Sequence, residues 1–311
     1  MSAGLAPGSV VLVTGASSGI GLGVAQQLAA AGHHLVLAAR DRAALDRAVE
    51  SCVRAGAASA IAVVTDVGDD AAVARLVETA QGRDGRLDAV VSCAGVASYG
   101  RLEEQPTDVV DGVLRTNLLG SIAVARHALP VLRRQERGTL LFVGSVLGHV
   151  ATPTMTPYVV SKWGVRALAR ELQIENRDLP GVRVEYVAPG GVDTPIYANA
   201  ATTGVRGRPP FPVASAEKTA RQVVATLEGR RRASQLSTAN HLLRLGFTAA
   251  PKVYDAIVTP AFRAIAAERK PATPGPGSVL DPVPDGHDLS GGHGSGLTAV
   301  VREIKRAVRG S

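Results

Sequence analysis

The chain has 311 residues, 46% of them hydrophobic and 20% charged, a balance that can bury a sizeable core and excludes disorder of the whole chain. Its formal charge of +7 would suit an acidic partner, but the arginines are spread along the sequence, with local concentrations at Arg230, Arg231, Arg232 and near the C-terminus; there is no zinc-finger spacing and no RNA-binding aromatic motif, so nucleic acid is not expected. Cys52 and Cys93 are its two cysteines, too few for a disulfide framework or a repeated CxxC metal site, and no apolar run reaches the roughly 18 residues of a membrane span, so we expect reduced thiols, no metal and a cytoplasmic location.

In chain order, VVLV at 10–13 is a short β-branched run, followed by a Gly/Ser turn and a helical pattern through Val24, Leu28 and Ala31. The alternation repeats: LVLAA at 35–39, a helix over 42–56, AIAVVTD at 60–66, a helix over 70–80 and LDAVVSCAG at 87–95. A long helix is expected over 109–134, then the strand TLLFVGS at 139–145, a helix over 157–179 and the strand VRVEYVAPG at 182–190. Short apolar strands separated by helices imply a parallel sheet with right-handed crossovers. The expected fold is therefore α/β: a doubly wound, Rossmann-like parallel sheet of six or seven strands, forming a single domain over 1–250 with a C-terminal extension over 251–311.

Past the last strand, 196–213 mixes small residues and proline and reads as a mobile lid. Residues 242–266 carry apolar side chains at helical spacing, interrupted by Pro251 and Pro260. Residues 271–296 are dense in Pro, Gly and Asp, and read as a flexible or extended arm. The final segment puts Leu297, Val300, Val301, Ile304 and Val308 on one helical face and Arg302, Lys305, Arg306 and Arg309 opposite, a basic amphipathic helix.

Thr14, Gly15, Ala16, Ser17, Ser18, Gly19, Ile20 and Gly21 lie between the first strand and the first helix. There a glycine-rich turn can aim backbone N–H groups at a pyrophosphate without a Cβ in the way. The spacing TGxxxGxG, rather than GxGxxG, resembles the short-chain dehydrogenase/reductase family. At the end of the second strand, where a carboxylate would accept from the adenosine ribose, stand Ala39 and Arg40. A guanidinium can bind a 2′-phosphate that a carboxylate would repel, so NADP(H) is the expected cofactor, with Ser17 as a second contact. The alternative, Arg40 in solvent and Asp41 turned to the ribose, stays open. Asp66 and Val67 match the family position beside the adenine ring.

Tyr158 and Lys162 are four apart in YVVSK and share a helix face. A neighbouring ammonium favours the phenolate and lowers the tyrosine pKa, so Tyr158 can pass a proton to a carbonyl oxygen or take one from an alcohol. Ser145 ends a parallel strand, where open sheets place their ligands. The spacing of Ser145, Tyr158 and Lys162 is similar to the family's catalytic set. The resemblance implies that Ser145 hydrogen-bonds the substrate oxygen and that Lys162 grips the nicotinamide ribose; Asn117, in RTNLLG, would support a water leading to Lys162. In PGGVDT, Pro189, Gly190, Val192 and Thr194 resemble the family's nicotinamide-side motif. One motif departs. Where the family reads NNAG, this chain has Ser92, Cys93, Ala94 and Gly95. Gly95 keeps the close approach to the cofactor, but the side-chain amides at the centre of the sheet are gone. Cys93 reads as a small filler rather than a nucleophile. His149 either touches substrate or is a loop histidine without a special role.

The resemblance covers residues 10 to about 195 and implies hydride transfer between NADP(H) and a carbonyl or secondary alcohol on a small molecule, by a homo-oligomer. Two other classes compete: a non-catalytic NADP(H)-binding sensor or scaffold, which has no need for a proton relay, and a membrane-surface protein that uses 242–266 and the basic tail.

Overall fold

The structure, a computed structural model, describes residues 4–82, 85–231, 234–268, 272–284 and 286–293. The basic helix expected from Leu297 onward lies outside the described residues. The first half alternates β1 (Val10–Thr14), α1 (Gly19–Ala30), β2 (His34–Ala39), α2 (Arg42–Ala55), β3 (Ser59–Val64), α3 (Asp70–Gln81) and β4 (Ala89–Ser92). After a two-residue strand β5 (Ser98–Tyr99) come α4 (Thr107–Leu114), α5 (Gly120–Arg134), β6 (Gly138–Val143), α6 (Thr156–Glu175) and β7 (Val182–Val187). The chain then makes β8 (Gly191–Asp193), β9 (Ala201–Thr202), β10 (Val213–Ser215), α7 (Ala216–Leu227), α8 (Thr238–Ala249) and α9 (Pro251–Ile265).

Among the described residues, six strands form one parallel sheet in the order β3-β2-β1-β4-β6-β7. The apolar run of β1 is buried on both faces, as a parallel strand covered by helices on either side must be. Leu12 packs into one core with Leu76, Leu132 and Phe142, while its neighbours Val11 and Val13 point the other way, into a core with Leu28, Leu45 and Leu227. This two-residue alternation divides the helices between the faces. The strand order reverses between β1 and β4, so the loops after them diverge and leave a crevice at the carboxyl ends.

The helix starts follow from side-chain caps. Asp41 accepts from the Ala44 N–H at 2.7 Å, and Asp69 accepts from Ala71 and Ala72. Gly56, in left-handed conformation, ends α2. The single helix expected over 109–134 is instead α4, a five-residue π-helical turn at Arg115–Leu119, and α5. A hydrophobic period does not reveal one inserted residue per turn, and such turns recur at functional sites. α6 stops at Glu175, short of residue 179. Pro251 opens α9 and Pro260 lies inside it, so the interruption expected at these prolines divides α8 from α9 but does not break α9 itself.

The lid segment is tied at intervals, β9 pairing with β5 and β10 with β8. Residues 272–284 and 286–293 contain no helix or strand, only an isolated bridge between Thr202 and Gly275, and they return across the crevice mouth.

Candidate active site

The floor of the crevice is built from strand ends. Gly15 has φ of +66°, and a Cβ there would stand 2.8 Å from the Ala94 backbone nitrogen; a Cβ at Gly21 would stand 2.2 Å from the Gly15 carbonyl oxygen. Only glycine lets these three backbones approach this closely. Ser18 begins α1 without a side-chain cap, and no acidic residue occupies the first turn. The Gly19 N–H donates to the Asp288 carbonyl, and the helix N-terminus otherwise keeps its positive end toward the crevice, the arrangement that suits an anionic group. Gly15, Ser17, Ser18, Gly19, Ile20 and Gly21 all line this crevice.

At its centre, where the family's side-chain amides are absent, the backbone after β4 is held by Thr14. The Thr14 hydroxyl accepts from the Cys93 N–H at 3.0 Å and the Ala94 N–H at 3.2 Å, which ties the phosphate loop to the end of β4. Thr14 is fully buried, so this oxygen satisfies two amides that water cannot reach. Cys93 is packed against the apolar core, and burial pushes its thiol up to about 11. That is the behaviour of a filler, not of a nucleophile.

Tyr158 and Lys162 project from one face of α6 into the same crevice, beside Gly95 and Val143. The Lys162 ammonium donates to the Val143 carbonyl at 3.2 Å and lies 5.6 Å from the Tyr158 ring centroid. Burial lowers Lys162 to about 8. Enclosure raises Tyr158 to about 12, partly offset by a hydrogen bond with the Ser145 side chain. The lowering of Tyr158 by Lys162, expected from their spacing, is not found: loss of water around the phenol sets its shift. In these surroundings Tyr158 holds its proton at neutral pH. Ser145, at the end of β6, also accepts from the Leu147 N–H at 3.1 Å, and its carbonyl accepts from the Tyr186 hydroxyl at 3.2 Å.

Asn117 occupies the middle of the π-helical turn. Its side chain is braced at both ends: Oδ1 accepts from Val96 N at 2.8 Å, and Nδ2 donates to Val96 O and to Ser161 Oγ, both at 3.0 Å. Its carbonyl accepts from the Ser121 hydroxyl. Asn117 therefore locks the loop after β4 to α6 one residue before Lys162.

Arg40, Asp66, Val67, Gly95 and Thr194 line the crevice as expected from sequence. Asp66 accepts from the Gly68 N–H, and Asp41 is committed to capping α2, with one oxygen left facing His287 at 3.5 Å. Pro189, Gly190 and Val192 are not among the lining residues: the Pro189 carbonyl takes the Val146 N–H, Gly190 backs onto Asn240, and Val192 is buried in β8. They shape the wall from behind. His149 is also outside the crevice, buried against the Tyr186 ring with neither ring nitrogen hydrogen-bonded, and burial lowers it to about 4.

Sequence reasoning missed Thr14 as a structural acceptor, Asn199 in the lid, and Ser278, Val283 and His287 in the arm, all at or beside the crevice. Thr14 was readable as the residue ending β1. For the arm, composition announces irregular backbone but not where it lies.

The fold and site define an α/β dinucleotide-binding oxidoreductase scaffold with a Ser/Tyr/Lys cluster at its strand ends. The short chain dehydrogenase family matches residues 9–204, and the chain belongs to that family and is an oxidoreductase of its type. It is 33% identical over 195 residues to a sepiapterin reductase of Chlorobaculum tepidum, covering 60% of this chain and 79% of that protein. It is also similar to an alcohol dehydrogenase from the archaeon Thermococcus sibiricus solved with 5-hydroxy-NADP: TM-score 0.63, 29% identity, covering 73% of this chain and 94% of that one. A short chain dehydrogenase/reductase from Burkholderia phymatum, solved with NAD, gives TM-score 0.68 at 26% identity and covers 81% of this chain and 96% of that one.

Proposed function

We propose that this chain transfers a hydride between NADP(H) and a carbonyl or secondary alcohol on a small, moderately apolar molecule. The observation that carries the reading is that Tyr158, beside Ser145 and Lys162, stands in the same crevice as the N-terminus of α1, which has no side-chain cap. The cradle of Gly15 and Gly21 and the positive helix end fit a dinucleotide pyrophosphate, which would lie over Ser17, Ser18 and Ile20. The bound nicotinamide would supply or accept the hydride. Tyr158 would give its proton to the substrate oxygen during reduction, Ser145 would orient that oxygen, and Lys162, close to 8 and so largely cationic at neutral pH, would hold the ribose and stabilise the phenolate left behind. Asn117 would keep Lys162 in place through Ser161 and support a water leading to it.

The preference for NADP(H) rests on Ala39 and Arg40. Three hydrogen bonds from the Arg40 guanidinium go to the carbonyls of Ser278, Val279 and Leu280, and of the five donors an arginine carries, the remainder would meet a 2′-phosphate.

The test is a carbonyl and alcohol panel with NADPH, NADH and their oxidised forms. Tyr158→Phe is expected to lower kcat/KM about a thousandfold while leaving the cofactor Kd within about twofold: Tyr158 also counts among the cofactor-binding residues, but the loss of one hydroxyl leaves the dinucleotide's other contacts in place. Undiminished turnover would overturn the mechanism.

A second reading concerns place rather than chemistry. Leu242, Leu245, Val253 and Ile257 are exposed on α8 and α9, and His241, Arg244, Lys252 and Arg263 outnumber Asp255 on the same pair. An apolar and basic hairpin of this kind suits an anionic membrane surface. No helix among the described residues is long and apolar enough to cross one. Flotation with phosphatidylserine vesicles should be lost in Leu242→Glu/Leu245→Glu; a parent that does not float ends this reading. The homo-oligomer would form through Leu119, Ile122, Val160 and Trp163, exposed on the turn before α5, on α5 itself and on α6, and light scattering would detect it.

A further inference from the structure

The crevice has a roof that the family match does not include, since that match ends at residue 204. Residues 278–280 anchor it at one end through Arg40. Further along, Asn199 donates to the Gly286 carbonyl at 2.9 Å, and the Gly19 N–H donates to the Asp288 carbonyl at 3.0 Å. The far end is pinned beside Thr194: Asp193 accepts from the Ser290 hydroxyl at 2.6 Å and from the His293 N–H at 3.0 Å. Leu289 packs against the core beneath α1. The arm thus spans the crevice from the end of β2 to the end of β8, touching residues at both ends.

One feature of this roof is not self-sufficient. His287 lines the same crevice as Gly19 and Arg40, next to Asp41. Both of its ring nitrogens are buried and neither has a hydrogen-bond partner; Asp41, at 3.5 Å, is within ion-pair range only. A buried imidazole without a partner costs free energy that a bound group would return. The position beside Arg40 is where the adenosine 2′ substituent is expected.

We propose that residues 278–284 and 286–293 form a clasp over the bound dinucleotide, with the His287 imidazole hydrogen-bonding an oxygen at the adenosine 2′ position. The proposal rests on the reading above that this crevice holds a nicotinamide dinucleotide. It makes the arm part of the cofactor site. Entry and release of the dinucleotide then require the arm's bonds to Arg40, Asn199 and Asp193 to open, while chemistry at Tyr158 proceeds beneath it.

The test uses the full chain and nicotinamide fluorescence, read as equilibrium Kd and as stopped-flow release rate for NADPH and NADH. Two variants address the two halves of the clasp. In Gly291→Ala the added Cβ would stand 2.4 Å from the Thr194 carbonyl oxygen, so the arm must lift at the nicotinamide end; release of both dinucleotides should speed up about tenfold. His287→Ala keeps the arm's backbone contacts and should raise Kd about tenfold, the loss of one hydrogen bond to a charged or buried partner. A rise for NADPH alone puts a 2′-phosphate against the imidazole; an equal rise for both puts a ribose hydroxyl there; either supports the clasp. If either variant keeps parental Kd and release rates while the parent binds dinucleotide, the clasp is overturned. If the parent binds neither dinucleotide, the reading beneath it fails instead.

Discussion

The floor and the roof of the crevice are held in different ways. The floor stands on the parallel ladder of β1, β4 and β6, with Val13, Val91 and Leu141 fully buried, and its side chains are fixed by neighbours that cannot move without opening the core. The roof buries Val279 and packs Leu289 on the core, but among its described residues it has one isolated bridge and is otherwise held by bonds from Gly19, Arg40, Asn199 and Asp193, with no ladder of its own. Segments with few buried contacts open at lower cost than core strands. On the proposed reading, the floor would fix the geometry of proton transfer, and the roof would control how long the dinucleotide stays. Changes in the floor should show in rate or stability, changes in the roof in affinity and release.

The loss of turnover in Tyr158→Phe is the largest expected effect and belongs to the floor alone. Next is Lys162. Its folded value, about 8, lies below the ordinary 10.5, so the folded state penalises the ammonium. Between pH 8 and 10.5 the unfolded chain binds the proton more tightly than the folded one, and stability rises with pH across that window. Below pH 8 the penalty is fully present, on the order of 3 kcal/mol at 1.4 kcal/mol per unit. Lys162→Met should then raise the midpoint of urea unfolding at pH 7 and flatten its rise toward pH 10, at the expense of turnover. An unchanged midpoint at pH 7 would show that the folded protein hydrates this ammonium more than its burial implies. Tyr158 runs the other way. Raised to about 12 from 10, it stays protonated in the fold, and stability falls as pH climbs from 10 toward 12.

Thr14→Val tests the tie between the phosphate loop and the end of β4. The substitution keeps the shape and removes the oxygen that serves Cys93 N and Ala94 N. Leaving those amides unpaired should cost about 2 kcal/mol, measured by denaturant unfolding. Cofactor release should be less affected than in Gly291→Ala. A variant that releases NADPH as fast as Gly291→Ala with undiminished stability would break the division between floor and roof.

Much of the floor was legible because its residues obey local rules. β-branched runs, a glycine turn before a helix, and Tyr158 and Lys162 one turn apart each carry their meaning within a few positions. The π-helical turn around Asn117 was not legible, because the apolar period runs on through it. Nor was the pKa of Tyr158, since the water excluded around it is decided by side chains from several elements. The arm was readable as irregular and no further. Where it docks depends on single contacts, such as Arg40 to the carbonyls of Ser278, Val279 and Leu280, that leave no periodic trace.

His149 gives the smallest and most local test, behind the floor. It is 5% exposed and packed on Tyr186, whose hydroxyl holds the Ser145 carbonyl. Burial, helped by Arg166 and Arg244, lowers it to about 4 from 6.5. The unfolded chain therefore binds a proton that the folded one refuses between pH 6.5 and 4, and stability is lost as pH falls through that window. His149→Leu removes the titrating group without opening a large cavity, so the fall in Tm between pH 7 and pH 5 should be smaller than in the parent. Asp178, held below its usual value by Arg133, lies on the surface and adds little to the same acid limb. If His149→Leu leaves that limb as steep as before, the imidazole is hydrated or paired in solution, and the back of the floor is looser than its burial implies.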